Sequence, residues 1–244
     1  MPLYKTRKSA EVYGYAVGIL LAEGTGPRAP GDVANATSYR YPVLYKRVAG
    51  ASAERLATGD PQLEPAVVSA AQALEAEGVK GISSNCSFFA NYQDAVTKAV
   101  RVPVFLSSLM QLPFIAASLG RKRAIGIITG DARALGNRLP TLSGAPAESQ
   151  LVVRGLEGEA AFRRAILEGG DALDTALVET ALVKTALAMI REQPAMGALL
   201  LEGAALPPYA QAVREASGLP VFDFLTMIDF YQQTAHRAHY AGYY

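Results

Sequence analysis

Short apolar runs alternate along the chain with amphipathic stretches, and clusters of Gly, Pro, Asn and Asp separate them. The runs YGYAVGILLA (13–22), YPVLYKRV (41–48), VKGISS (79–84), VPVFLS (102–107), RAIGIITG (123–130), QLVVRGL (150–156), AMGALLLE (195–202) and LPVFDF (219–224) have the length of strands. Several are apolar at consecutive positions rather than at every second one, which predicts strands covered on both faces. Helical spacing predicts helices near 61–77, 87–100, 109–119, 131–138, 159–167, 174–192, 207–217 and 226–238. Pro61 suits the first turn of the first helix, and Asp171 or Asp174 suits the cap of the long one. Strand–helix–strand order of this kind predicts an α/β fold with parallel sheets under helices.

A repeat adds to this picture. Residues 81–110 (GISSNCSFFANYQDAVTKAVRVPVFLSSLM) align without a gap to 198–227 (ALLLEGAALPPYAQAVREASGLPVFDFLTM), with 8 identities in 30 positions. Tyr92 meets Tyr209, Pro103-Val104-Phe105 meets Pro220-Val221-Phe222, and Met110 meets Met227. The register predicts a duplicated unit in which Cys86, the single cysteine, falls on Gly203. Two such halves facing each other bring two strand-to-helix turns across one cleft, where open α/β sheets bind ligands. The free amides of a helix start attract anions and stabilise a thiolate, so the position of Cys86 predicts a lowered thiol pKa.

Composition narrows the classes. The 244 residues are enough for two domains, and with 50% hydrophobic and 18% charged residues they suit filled cores. A net charge of +1 without a basic block speaks against nucleic acid as a partner. The apolar runs are too short to span a bilayer, and the N-terminus lacks the apolar core of a signal peptide, so no membrane is expected. One cysteine makes no internal disulfide and suits a cytoplasmic location. P-loop, dinucleotide-glycine, G-x-S-x-G and zinc-type cysteine patterns are absent.

The motifs G-I-L-L-A-E-x-x-x-P-R-A-P-G-D-V (18–33), N-C-S-F (85–88), V-P-V-F-L-S-S-L (102–109), L-L-E-G-x-x-L-P-P-Y-A (200–210) and G-L-P-V-F-D (218–223) together resemble the aspartate/glutamate/hydantoin racemase superfamily over nearly the whole chain. That resemblance implies two flavodoxin-like, three-layer α/β/α halves with parallel sheets, related by a pseudo-twofold axis, with the site in the cleft between them. It implies no cofactor, and a pair of cysteines, one per half, that flank the substrate's α-carbon. The halves would be 1–111 completed by 226–244, and 112–225. This chain departs from the pattern at the second thiol: where two-thiol members would read L-E-C, it has Leu201-Glu202-Gly203. Glu202 is adjacent, but side chains alternate along a strand, so it is expected to point away from the cleft that position 203 lines.

The first reading is a cofactor-independent enzyme that moves a proton at the carbon alpha to the carboxylate of a small carboxylic or dicarboxylic acid, with Cys86 as its sole thiol. A single-thiol decarboxylase or lyase of the arylmalonate decarboxylase type is the alternative on the same scaffold. A non-catalytic small-acid-binding protein is the reading from another class. Asn85, Ser87 and Phe88 beside the thiol, Thr129 and Gly130 at the end of a strand, and Gly203 and Ala204 on the facing wall are the expected substrate contacts. Arg28 and Asn35 in the loop 24–37 are candidates for holding an anionic group, and Asp32 for capping that loop locally. His236 and His239 lack carboxylate or cysteine partners nearby and make no metal site. The terminal HYAGYY (239–244) is a candidate cover for a seam, and homo-oligomerisation stays open.

Overall fold

The computed structural model describes residues 5–6, 10–120, 122–136, 139–237 and 242. Its strands form two sheets. The first has the order β2-β1-β3, with β1 Val17–Leu21, β2 Val43–Arg47 and β3 Ile82–Ser84, and both pairings are parallel. The second has the order β5-β4-β6-β7, with β4 Ala124–Thr129, β5 Gln150–Gly155, β6 Met196–Glu202 and β7 Val221–Phe222, again all parallel.

The consecutive apolar residues of the strands divide between two faces, as the period of two requires. In β1, Leu20 packs with Val67 and Leu74 of the helix Glu64–Ala76 and Val96 of the helix Gln93–Ala99. Its neighbour Ile19 turns to the opposite face, against Phe224, Met227 and Ile228 of the last helix, Phe224–Ala235. In β6, Leu199 and Leu201 meet Leu182, Ala186 and Met189 of the long helix Thr175–Glu192. Ala198 and Leu200 face Leu112 and Ile115 of the helix Leu112–Leu119. The last helix therefore crosses back to cover the first sheet. Asp174, rather than Asp171, caps the long helix through the amide of Leu177.

The repeated unit folds twice in the same order. After β3 come a 3-10 segment, Ser87–Tyr92, and the helix Gln93–Ala99; after β6 come a 3-10 turn, Pro207–Tyr209, and the helix Ala210–Ser217. Two features depart from the expected elements. Residues 102–107 are not a strand: only Val104 bridges to Ile82, while the Pro103 carbonyl accepts from Ile82 N–H and Phe105 N–H donates to the Ile82 carbonyl. Proline cannot donate to a ladder, and side chains take over. The Gln93 amide bonds Val104 O at 2.9 Å and Leu106 N–H at 3.1 Å, and the Ser83 and Ser84 hydroxyls donate to Phe105 O and Leu106 O. A helix absent from the periodicity, Ala53–Thr58, is set by Ser52 as N-cap and Gly59 in the left-handed region at φ 67°.

Candidate functional site

The carboxyl ends of both sheets open on one cavity of about 440 Å³. From the first half, Asn85, Cys86, Ser87 and Phe88 line it; from the second come Thr129, Gly130, Glu202, Gly203 and Ala204. Cys86 and Gly203, paired by the repeat, thus border the same space. Strands β1 and β3 lie in register through Leu20 and Ser84, and β4 and β6 through Thr129 and Glu202, which brings both turns to one rim.

Cys86 lies two residues past β3, still in extended conformation (φ −150°, ψ 124°), and stands at the N-cap of the 3-10 segment. It touches the cavity and is half-buried. Its thiol is not made acidic there, contrary to the expectation from a helix start. Burial pushes it up to about 12, the Phe88 amide hydrogen bond and Arg28 oppose this, and the charge of Glu202 adds to it. The physical reason is local: a short, six-residue 3-10 segment carries little dipole, and desolvation of a thiolate costs more than one amide returns.

Glu202 corrects a second expectation. Its side chain follows the alternation of β6, on the same side as Thr129 across the ladder, yet its carboxyl lies in the cavity wall. Alternation rules only within a strand; Glu202 is the last residue of β6, and the cavity begins where the strand stops. Glu202 is 4% exposed, and its carboxyl accepts a hydrogen bond from the Thr129 hydroxyl. Burial raises its pKa, while Ser87 and Thr129 pull it down. The Ser87 hydroxyl faces this carboxyl without a hydrogen bond of ordinary geometry, buried and unpartnered. The offset that pairs Cys86 with Gly203 also pairs Asn85 with Glu202. Asn85 serves its own half in a comparable way, its side-chain oxygen accepting from Ala22 N–H at 2.7 Å.

The loop 24–37 closes the cavity's edge and is tied to the opposite half. Val33 N–H donates to Ala204 O at 3.0 Å, and Gly31, at φ 98°, lies so close to Pro208 that a Cβ would come within 2.8 Å of its Cα. Arg28 lines the cavity and pairs with the buried Asp32 at 3.4 Å, whose other oxygen caps Ala34 N–H. Asn35 is not at the cavity. Its amide donates to Arg28 O and accepts from Thr37 N–H, so it holds the loop together. Phe162 and Ile166, from the irregular helix over residues 160–167, complete an apolar side that periodicity alone could not assign to a site. His236 is exposed, and His239 and most of 239–244 lie outside the described residues. Among the described residues no cluster of three His, Cys, Asp or Glu is placed to hold a metal. No helix among them is long and apolar enough to cross a membrane.

No protein-family model matches the chain. Among curated proteins it is similar to dimethylsulfoniopropionate lyase 5 of Emiliania huxleyi, with 33% identity over 225 residues, covering 88% of this chain and 44% of that protein. It is also similar to the dimethylsulfoniopropionate lyase of Durusdinium sp. clade D, with 32% identity over 209 residues, covering 83% of this chain and 69% of that protein. The chain thus spans under half of the first relative and about two thirds of the second. Among solved structures it resembles a glycine-to-cysteine mutant of arylmalonate decarboxylase in the sulfate ion associated form, at a TM-score of 0.62 and 19% identity over 92% of this chain and 96% of that one. It also resembles allantoin racemase from Pseudomonas fluorescens, at 0.58 and 16% identity over 90% of each chain. These structural likenesses establish the fold.

Proposed function

The chain belongs to the family of the dimethylsulfoniopropionate lyases, within the aspartate/glutamate/hydantoin racemase superfamily, and from that premise we propose that it is itself a lyase. It removes the proton next to the carboxylate of a small acid that carries a leaving group on the following carbon, with Cys86 as the base. A sulfoniopropionate is the substrate class that its relatives' names suggest.

The observation that carries this reading is one thiol facing a glycine across a shared cavity. Inverting a carbon by proton transfer needs a group on each face, one to take a proton and one to give it. Elimination needs a base on one face only. The α-C–H bond breaks toward the Cys86 sulfur, the new C=C bond forms, and the C–S bond breaks with its electrons leaving on sulfur. The products are a neutral dialkyl sulfide and an unsaturated acid, and the thiol then returns its proton to solvent. In this reading the substrate carboxylate lies against the turns beside Cys86 and at 203–205, where main-chain amides would stabilise the charge that develops on it.

The thiol's pKa shapes how this would run. At pH 8 a thiol titrating near 12 is thiolate in roughly one molecule in 10⁴. The base must therefore form when the substrate is bound, and a positively charged leaving group in the cavity favours this.

The test is direct. Purified protein is given dimethylsulfoniopropionate, and the sulfide is measured in the headspace alongside the unsaturated acid in solution. The wild type should release both in equal amounts, and Cys86→Ala and Cys86→Ser should lose at least ~10³-fold in kcat. Release that survives Cys86→Ala at the wild-type rate sinks the reading.

A further inference from the structure

The elimination leaves two polar groups of the cavity wall without a task, the Glu202 carboxyl and the Ser87 hydroxyl. Both residues are more than nine-tenths buried, at 4% and 6% exposure. They face each other from the two halves, and Thr129 holds the carboxyl by donating to one of its oxygens. The Ser87 hydroxyl has no partner of ordinary geometry. The other ionisable groups around the cavity have local partners or no charge. Glu23 accepts from Gly50 N–H, Asp131 caps Arg133 N–H, Glu168 pairs with Arg163, and Arg28 pairs with Asp32. Cys86 stays a neutral thiol near neutral pH. Among the described residues no ion pair joins Glu202 to a cation. A carboxylate buried without a counter-charge is costly, and a second carboxylate brought beside it, as the substrate's is in this cavity, adds to that cost. A neutral carboxylic acid avoids both costs and gains a function, because it is a donor. With Thr129 on one oxygen, its O–H is left for the cavity.

We infer that Glu202 is a catalytic residue that acts as an acid, donating a hydrogen bond from its carboxyl to the substrate carboxylate, with the Ser87 hydroxyl as a second donor beside it. This deepens the lyase reading and rests on it. When Cys86 takes the α-proton, the electron pair left behind spreads onto the substrate carboxylate. It then moves into the new C=C bond as the C–S bond breaks. A hydrogen bond from a carboxylic acid strengthens as charge gathers on its acceptor, so it holds the transition state more tightly than the substrate. Glu202 keeps its proton throughout, and the only proton transferred is the one that Cys86 receives. The placement suits this division of labour. The offset that sets Cys86 against Gly203 sets Asn85 against Glu202, so the base reaches the cavity from one half and the acid from the other.

Infrared difference spectroscopy of the full chain near neutral pH reads the carboxyl's proton, and calorimetry reads the bond it makes. The probe is butyrate, a short carboxylate with no leaving group. The wild type should show the C=O band of a protonated carboxyl that shifts to lower frequency when butyrate binds, and Glu202→Gln should lack that band. Butyrate affinity should fall at least ~10-fold in Glu202→Met, which has no donor, and by less than about threefold in Glu202→Gln, whose amide N–H stands in for the O–H. With dimethylsulfoniopropionate, Glu202→Met should lose at least ~10²-fold in kcat with a smaller change in KM, and Glu202→Gln should recover part of that loss. Tighter butyrate binding in both variants marks an ionised Glu202 that repels carboxylates, and overturns the inference. So does a wild type that lacks the band, loses it on binding, or does not bind butyrate. Butyrate does not react, so these readings are independent of turnover: a protein that shows them but releases no sulfide loses the lyase reading alone. One that releases sulfide and fails them loses only the acid.

Discussion

Thr129 and Glu202 stand opposite each other at the ends of adjacent parallel strands, and the threonine hydroxyl donates to the glutamate carboxyl. Neither residue would be notable inside a sheet. At the strand ends they place an ionisable group in the wall of the cavity that Cys86 also borders. The hydroxyl lowers the carboxyl's pKa against the burial that raises it. Thr129→Val keeps the shape and removes this opposition. The Glu202 carboxyl should then protonate at a higher pH than in the wild type, as followed by infrared difference spectroscopy of the carboxyl across the acid range.

Cys86 should be a slow nucleophile at neutral pH. With its thiol pushed up to about 12, its thiolate fraction is about 10³-fold below that of an unperturbed cysteine. Alkylation by iodoacetamide, followed by mass spectrometry, should be correspondingly slow at pH 7.5 and still climbing at pH 10. A plateau near pH 8 would contradict this environment.

Gly203 has a backbone reason to be glycine. Its φ of 155° is one that side chains rarely adopt, and an added Cβ would lie 3.3 Å from Leu206. Gly203→Ala, and equally Gly203→Cys, should lower stability by about 1–3 kcal/mol in urea denaturation. Restoring a second thiol here therefore works against the turn that would have to carry it.

Gln93 replaces a missing ladder. Gln93→Leu leaves the Val104 carbonyl and the Leu106 amide without their partner and should cost about 2–4 kcal/mol. Hydrogen exchange at Leu106 should quicken together with that loss.

Asp223 makes stability depend on pH. It forms a capping box with Thr226 at the start of the last helix, and burial raises its pKa to about 6 from a normal 3.8. The folded state thus holds a proton that the unfolded chain has released. This contribution is present below about pH 3.8 and lost as the pH rises through 6. Asp223→Asn keeps a capping oxygen and should flatten the decline over that window by up to about 3 kcal/mol. Thermal melts at pH 4 and 6.5 measure it.

Much of this molecule follows from its order of residues. Alternating apolar runs and helical stretches determined two parallel sheets, because burial on both faces leaves a mark at consecutive positions. The ungapped repeat determined that Cys86 and Gly203 would border one space, and the motifs around them pointed to the superfamily. What the sequence did not carry were quantities that depend on neighbours distant along the chain. The run 102–107 reads as a strand, but Pro103 and the Gln93 amide decide that it forms one bridge. Asn35 reads as a ligand donor, but its partners lie within its own loop. The thiol's pKa and the direction of Glu202 were decided by tertiary structure alone. Desolvation sums over everything packed around a group, and a side chain at a strand's last residue answers to the space beyond the strand as well as to the pleat within it.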